Sequence, residues 1–519
     1  MTKRAVLLNS LSGVALFAAN TAIAFVMSPI MIHSLGNRRY GVWEVIITLV
    51  GYLGALELGL GSALVRFIAD AKSREDRDAL ECIVNTGLFG LAALGAFGLL
   101  VVLLGVSIPG LPLGIDTKGD ASLTPVLFIF GINLAVYLPR VALSAYLLGL
   151  QAHRIMNGIV LMATLGVTFA MYHILTTGVP SPLFWMSLAM LSGTIAQVLL
   201  MSVWIGVVDR RIRIAVSSFS MKMLKELLGF GVKNAAIGSS LALVDRVVSV
   251  VIAYTAGVAQ IVYFVMPNRL VDYTRTLVSQ AGFPLTPYFA DLAGRGEFDA
   301  VRTAWVQTSR ILQVVTLGVP VALAILGEPF IRVWIGPEYA VRGRWILYIL
   351  CAGLFVQGVA ANRERLLVSL GRHGRLALLT SILALGSFGV SIVLGYLWGI
   401  KGVAAAVAGF FIVLAGLEVT LTCKVLDMSL PKYFRETALR LVGPLVAMAA
   451  VLIGLREVAY PRGYGQIVLY GLAGSAVYLT AAWFIGLEAG ERQFVRNLMG
   501  GMRRKVVLAL RPAFERGRR

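Results

Sequence analysis

The chain has few of the side chains needed for disulfides, metal sites and proton-transfer catalysis. Its 519 residues include three cysteines and four histidines, and charged residues make up 14% of the total. Cys82, Cys351 and Cys423 stand far apart with no CxxC spacing, so neither a disulfide framework nor a metal site is indicated. No GxxxxGK[ST] loop is present to hold ATP phosphates. These absences indicate a protein that is not an enzyme, has no built-in ATP motor and needs no cofactor.

Apolar residues are abundant. They make up 58% of the chain, and the mean hydropathy is +0.84, too apolar for a soluble protein. A membrane-crossing helix needs about 20 apolar residues. The sequence therefore predicts an all-α polytopic membrane protein with about fourteen transmembrane helices, the first of them uncleaved. The predicted spans are 7–32, 41–64, 83–106, 125–149, 157–176, 183–206, 235–256, 259–286, 309–331, 345–368, 376–397, 402–421, 438–456 and 466–487.

The net charge of +20 is explained by membrane topology and does not indicate nucleic-acid binding. Most Lys and Arg residues lie in alternate loops, which the positive-inside rule assigns to the cytoplasm together with both termini. The basic tail, 488–519, fits an anchor on the anionic inner leaflet. We expect membrane lipid, and no nucleic acid, as a partner.

The chain contains an internal repeat at a shift of 221 residues. The matches include Gly36 with Gly257, Tyr52 with Tyr273, Asp70 with Asp291 and Arg74 with Arg295. Each copy holds six spans, so the copies share one orientation and predict two parallel six-helix bundles related by pseudo-twofold symmetry. The predicted segments are a first bundle over 1–208, a basic cytoplasmic linker over 209–233, a second bundle over 234–424, two accessory helices over 425–487 and the tail.

The eighth predicted span carries charge where a membrane helix is expected to be apolar. Within 266–280, seven polar side chains fall on one face at 100° per residue. Arg269, Asp272 and Arg275 on this face replace Thr48, Gly51 and Gly54 of the first copy. Because charge inside a bilayer faces a bundle interior or a water-filled path, the stretch predicts a polar cavity.

Two interpretations of the intramembrane polar set remain open. As a cavity, the arginines bind an anionic head group, because the guanidinium donates in pairs to phosphate oxygens. As a structural network, the acids neutralise the arginines and hold helices together. A carboxylate in such a path can also serve as the binding site for a coupling Na⁺ or H⁺. The candidate head-group ligands are Arg140, Arg246, Arg269 and Arg275, and the candidate cavity or coupling-ion residues are Asp245, Asp272, Asn268 and Gln280.

Three motifs resemble the bacterial polysaccharide transporter and O-antigen flippase family of the multidrug, oligosaccharidyl-lipid and polysaccharide exporter superfamily. They are Leu35-Gly36 with Tyr40-Gly41-Val42-Trp43, the stretch ELGLGSALVRF at 57–67, and Trp334-Ile335-Gly336-Pro337-Glu338-Tyr339. The resemblance implies flipping of an undecaprenyl-pyrophosphate-linked oligosaccharide to the outer leaflet of the bacterial inner membrane by alternating access. It also implies partner proteins such as a polysaccharide polymerase. In the related lipid II flippases, arginines in a central cavity hold pyrophosphate, and Arg246, Arg269 and Arg275 match that role best.

Two other functions are open at this stage. A multidrug exporter of the same superfamily moves organic cations, for which an excess of intramembrane acid, rather than arginine, is expected. A non-transporting scaffold for polysaccharide enzymes would tolerate charge reversal in the eighth span.

Overall fold

The computed structural model describes residues 3–54, 57, 59–107, 123–208, 213–282, 285–371, 373–493 and 496. The described residues are 90% helical and form no strand. The α-helices are α1 (Lys3–Gly54), α2 (Leu60–Ser73), α3 (Arg77–Ser107), α4 (Leu123–Gly149), α5 (His153–Thr176), α6 (Pro182–Val208), α7 (Met221–Thr255), α8 (Ile261–Gly282), α9 (Leu285–Gly294), α10 (Phe298–Trp334), α11 (Pro337–Val359), α12 (Arg363–Ser369), α13 (His373–Trp398), α14 (Ile400–Val425), α15 (Leu430–Glu436), α16 (Val442–Val458) and α17 (Tyr464–Ala481). The predicted all-α membrane fold is confirmed.

Eleven helical stretches among the described residues are long and apolar enough to cross a membrane. One of them, in α1, joins the first two predicted spans through a kink at Gly36. The seventh and eighth predicted spans correspond to α7 and α8. The helix α8 is not among the eleven apolar stretches, because it carries three charged residues within a length that could cross the membrane. The fourteen predicted spans therefore correspond to these eleven stretches, the second arm of α1, α7 and α8.

Two predicted helix boundaries are wrong. The second span, predicted to end at residue 64, ends in α1 at Gly54, and a separate helix, α2, begins at Leu60 after a left-handed Gly59. The tenth span, predicted as continuous, is interrupted between α11 and α12, where Asn362 is also left-handed with φ 67°. Each interruption depends on the backbone of a single residue, which a hydropathy average over about twenty residues does not resolve.

The internal repeat is visible in local geometry. Gly36 and Gly257 have the same unusual backbone, with φ 73° and ψ 165° in one and φ 93° and ψ 149° in the other. This region of positive φ is readily accessible only to glycine. Arg74 pairs with Asp70 at 3.0 Å and Arg295 pairs with Asp291 at 2.7 Å, in matching i,i+4 positions.

The start of α8 is anchored on α1. Asn37 donates to the Tyr263 hydroxyl at 3.0 Å. Gly41 packs so closely on the turn Val258–Gln260 that a Cβ atom would lie 2.1 Å from the Val258 carbonyl oxygen. Any larger residue at position 41 must therefore displace this turn.

The chain forms two compact units. Unit 1 comprises Met1–Val265 and Ala377–Ala406, and unit 2 comprises Met266–Leu376 and Val407–Arg519. The unit 1 core joins α2, α3 and α4 around residues such as Leu64, Leu138 and Tyr146. The predicted bundles at 1–208 and 234–424 follow the sequence repeat instead, and their boundaries stay a prediction.

In unit 2, α10 supplies the centre of the core. Trp305 of α10 stacks on Tyr433 of α15, with ring centroids 4.5 Å apart. Farther along α10, Leu317 and Leu326 pack with Met448 of α16 and Tyr478 of α17. The two C-terminal helices therefore share a hydrophobic core with α10.

The described part of the predicted linker is held against α3. Asn85 of α3 donates to the Arg213 carbonyl at 2.9 Å and accepts from the Ala215 amide at 3.0 Å. Ser220 then caps α7, accepting from the Met223 amide at 3.3 Å. The segment predicted as a linker over 209–233 is therefore helical from Met221 onward.

Candidate functional site

The charged face of α8 is half-exposed, and its opposite face is buried. Met266, Leu270, Val271 and Thr274 pack inside the protein. On the polar side, 37% of the Asp272 side chain and 22% of the Arg275 side chain are exposed. An accessible charged face in a membrane-spanning region is stable only against water or polar ligand groups. This face therefore has the exposure that a ligand-binding surface requires.

The polar residues of α8 form a bonded series along one face. The Asn268 Nδ2 group donates to Asp272 Oδ2 at 2.7 Å, and Arg275 Nη1 donates to Asp272 Oδ1 at 3.0 Å. Both oxygens of Asp272 are thus engaged by residues of its own helix. The second polar atom of Asn268, Oδ1, is buried and has no hydrogen-bond partner among the described residues.

Arg275 also contacts an aromatic ring of another helix. Its guanidinium carbon lies 4.0 Å from the centre of the Phe411 ring of α14. This distance is well inside the range of a cation–π interaction. Nothing in the sequence indicates this contact, because Phe411 is one of many aromatic residues in apolar spans and lies far from α8 along the chain.

The remaining predicted site residues are placed as follows. Arg269 lies one turn before Tyr273 and acts electrostatically on it. Asp245 and Arg246 lie on α7 and Gln280 on α8, but their side chains are outside the described part of the structure. Of the predicted set, the structure thus brings Asn268, Asp272 and Arg275 into contact.

Arg140 belongs to unit 1, where it has partners of its own. Its Nη1 donates to the Gln197 side chain of α6 at 2.7 Å, and its guanidinium covers the Tyr137 ring at 4.7 Å. Its charge also acts on the Glu57 carboxyl. Arg140 Nε is buried without a hydrogen-bond partner among the described residues. Arg140 therefore belongs to a separate polar cluster in unit 1.

A buried polar stripe on α10 was missed by the sequence analysis. Ser309, Gln313 and Thr316 donate to the carbonyl groups of Ala361, Val359 and Gly358, at 3.1, 2.6 and 3.0 Å. These carbonyls lie at the interruption between α11 and α12, where helical hydrogen bonds are lost. Side chains of neighbouring helices commonly satisfy such groups at membrane depth. The stripe is therefore structural.

Arg363, at the start of α12, binds another carbonyl group at the interruption and an acidic residue of α14. It donates to the Ala360 carbonyl at 2.8 Å and forms an ion pair with the buried Glu418 of α14. In the sequence, Arg363 adjoins Glu364 and Arg365 near the end of a predicted span, so nothing there indicates a distant acidic partner. The structure gives it a defined role in joining α12 to α14.

Arg310 joins α10 to the segment after α17. Its side chain is 3% exposed, and its Nη1 lies 3.1 Å from Glu491, which is 1% exposed, and 3.1 Å from Glu488. Its Nε donates to the Glu436 carbonyl at 2.7 Å. Arg440 also pairs with Glu488, at 2.7 Å. Although burial opposes the effect, Arg310 and Arg440 lower the pKa of Glu488.

A second network joins the other end of α10 to α16. The buried Glu328 accepts from Arg332 at 2.7 Å, from Arg456 at 2.9 Å and from the Tyr460 hydroxyl at 2.9 Å. Burial and the adjoining Glu328 raise the pKa of Tyr460, so its phenol stays protonated and donates. The C-terminal helices are thus fixed to α10 at both ends.

Other sites in the described chain suit an anionic head group less well. An apolar cavity of about 420 Å³ lies among α10, α16 and α17, but its lining of residues such as Val314 and Leu323 offers little to a charged ligand. No group of three or more His, Cys, Asp and Glu residues within the described ranges is arranged to hold a metal ion. The polar face of α8 is therefore the candidate site in unit 2.

Comparison with solved structures shows which known folds this chain resembles. The chain is similar to the lipid II flippase MurJ in an inward closed conformation, with a TM-score of 0.70 and 13% identity over 94% of this chain and 99% of the other. It is also similar to a multidrug resistance MATE family transporter of the MOP superfamily in an inward-facing conformation, with a TM-score of 0.63 and 15% identity over 79% and 94% of the two chains. The chain has the MurJ- and MATE-like transporter fold.

Sequence relatives agree with that fold. The family described as polysaccharide biosynthesis protein matches residues 153–342. An inferred O-antigen transporter of Shigella flexneri is 21% identical over 376 residues, which are 70% of this chain and 84% of the relative. These matches confirm the predicted resemblance, and they support a transporter role in a multi-pass membrane protein. The relatives are transporters and flippases rather than enzymes, as the sequence predicted.

Proposed function

We propose that the chain moves an undecaprenyl-pyrophosphate-linked oligosaccharide from the cytoplasmic to the outer leaflet of the bacterial inner membrane by alternating access, for cell-surface polysaccharide synthesis. The transporter fold and the relative described as an O-antigen transporter support the substrate class. The observation that carries the proposal is the half-exposed arginine face of α8, with Arg275 oriented by Asp272.

This face suits a pyrophosphate better than an organic cation. Arginine keeps its charge when it is desolvated and donates in pairs to phosphate oxygens. Arg269 and Arg275 outnumber the one acid, Asp272, on this face. A cation exporter built on the same fold needs the opposite balance of charge at its binding face.

An inside-negative membrane potential favours outward movement of a dianionic head group. The gain is about 2.3 kcal/mol per charge for each 100 mV. A coupling Na⁺ or H⁺ at Asp245 and Asp272 is an additional proposal. A cation at Asp272 would share the carboxylate with the Asn268 amide and the Arg275 guanidinium. Dependence of flipping on a Na⁺ or H⁺ gradient tests that proposal.

The decisive experiment measures flipping of a lipid-linked oligosaccharide in proteoliposomes. Wild type is compared with Arg269→Ala, Arg275→Ala and the matched control Arg295→Ala, an exposed arginine of the same unit that pairs with Asp291. We expect both α8 variants to lose most of their flipping rate and the control to keep it. Equal flipping by all four proteins would overturn the proposal.

Two further measurements separate the alternatives. Export of an organic cation by the same proteoliposomes, without flipping of the lipid-linked oligosaccharide, would assign the chain to multidrug export. Full complementation of polymer export in cells by Arg269→Glu would favour a scaffold for assembly proteins such as a polymerase. Under the proposed function, this charge reversal abolishes export.

A further inference from the structure

The guanidinium group of Arg275 has two kinds of partner, a carboxylate and an aromatic ring. Asp272 accepts from one edge, at 3.0 Å from Nη1. Phe411 is the second partner: Arg275 Cζ lies over its aromatic ring, 4.0 Å from the ring centre. The Arg275 side chain is 22% exposed, so the group is only partly desolvated and the cation–π contact is a modest attraction.

The two contacts have different consequences for an anionic ligand. All five N–H donors of a guanidinium lie in its plane, and its face has none. Asp272 therefore uses a donor and cancels charge, and it competes directly with a phosphate. The Phe411 ring carries no net charge, so its contact does not neutralise the guanidinium as a carboxylate does.

The repeat provides independent support, because both members of this pair occur in one copy only. Arg275 corresponds to Gly54 and Phe411 to Met190 at the 221-residue shift. The neighbouring Phe410 corresponds to Ala189. The aromatic ring and the charge that it contacts are therefore present together in the second copy and absent together from the first.

We propose that Phe411 is a positioning residue that holds the plane of Arg275 for two-point recognition of a pyrophosphate head group. This inference rests on the proposed function. A fixed fork favours a ligand that offers several phosphate oxygens in a matching arrangement. Loss of Phe411 should therefore weaken binding of a pyrophosphate more than binding of a single phosphate.

The test measures binding of undecaprenyl pyrophosphate and undecaprenyl phosphate to the full chain in nanodiscs. Phe411→Leu removes the ring face and keeps an apolar side chain. Phe410→Leu is the matched control, because Phe410 is 4% exposed, Phe411 is 6% exposed, and the two rings pack against each other. We expect Phe411→Leu to weaken pyrophosphate binding about threefold to tenfold, and Phe410→Leu to leave it nearly unchanged. Equal losses in both variants would overturn the proposal and assign Phe411 to packing.

Two additional variants test the mechanism. Phe411→Tyr keeps the ring face and should retain most of the affinity. In an Arg275→Ala background, Phe411→Leu should have no further effect on pyrophosphate binding, because the residue acts through the arginine. If the double variant instead loses affinity by the product of the two single-variant losses, Phe411 does not act through Arg275 and the proposal is wrong.

The failures of the two proposals are distinguishable. If Arg275→Ala itself leaves undecaprenyl pyrophosphate binding unchanged, the head-group site on α8 is wrong. If Arg275→Ala loses binding and Phe411→Leu does not, the site stands and the role of Phe411 is wrong.

Discussion

Both α8 and α10 carry arginines within unit 2, but the surroundings of those arginines differ. Arg310 of α10 is 3% exposed and is surrounded by groups from the C-terminal part of the chain. Arg275 of α8 is 22% exposed and pairs with Asp272 of its own helix. A buried ion pair between helices contributes to assembly, and removal of one partner leaves an uncompensated charge. A half-exposed pair on one helix contributes little to stability and leaves the arginine accessible to a ligand.

This contrast answers a question that the sequence left open. Both helices have gained charge relative to the first copy, where Arg275 corresponds to Gly54 and Arg310 to Phe89. Gain of charge therefore does not by itself distinguish a ligand site from a structural network. Exposure and the location of the partners do, and they support a structural role for α10 and a binding role for α8.

The largest expected effect is that of Arg310→Met. The substitution leaves Glu491 buried without its partner, which should reduce the free energy of unfolding by about 3–5 kcal/mol. Unfolding of the purified protein in detergent, followed by circular dichroism, provides the measurement. A loss no greater than that of Arg275→Ala would remove the distinction between the two helices.

A smaller loss is expected at the interruption between α11 and α12. Asn362→Val places a β-branched residue at φ 67° and removes the bond from Asn362 to Thr308, so we expect a loss of about 2–3 kcal/mol. Asn362→Gly keeps the backbone conformation and should lose only about 1 kcal/mol. Equal losses in thermal unfolding would show that the backbone conformation is unimportant at this position.

Arg275→Ala should cost about 1 kcal/mol of stability. It removes one i,i+3 ion pair and one cation–π contact, both modest contributions. The same detergent unfolding experiment applies. A loss of 3 kcal/mol or more would place Arg275 with Arg310 as a structural residue and would weaken the case for a binding face on α8.

The smallest effect is a pH dependence at Glu488. Because the pKa of Glu488 is lowered in the folded protein, its contribution is present above its unfolded pKa near 4.5 and is lost as the pH falls through the folded value. Glu488 is half-exposed, so at pH 7 the free energy of unfolding of wild type should exceed that of Glu488→Gln by less than about 1 kcal/mol. Unfolding measured from pH 7 to pH 3 should show this difference disappearing on the acidic side. A difference that grows with acidity would contradict the assignment.

The sequence was sufficient for the features that depend on local pattern. Long apolar runs predicted the membrane helices, and Gly36 and Gly257, matched by the sequence repeat, have similar backbone geometry in the structure. The polar face of α8 also followed from helical periodicity. These features depend on neighbours within a few residues, so a single sequence contains the information.

Features that depend on distant residues could not be predicted in this way. Arg310 and Glu491 are 181 residues apart, and Arg310 lies at the very start of the ninth predicted span, 309–331, where charge is unremarkable. Phe411 is indistinguishable in sequence from lipid-facing or core phenylalanines. Only the three-dimensional structure identifies it as a contact of Arg275.

The Arg310 network also has a consequence for the order of assembly in the membrane. Glu491 is synthesised 181 residues after Arg310, which at ordinary rates of translation is a delay on the order of ten to forty seconds. During that interval, α10 must insert with an arginine whose final partners do not yet exist. Completion of unit 2 must therefore wait for the C-terminal helices, and a chain truncated before Glu488 lacks the partners that neutralise Arg310.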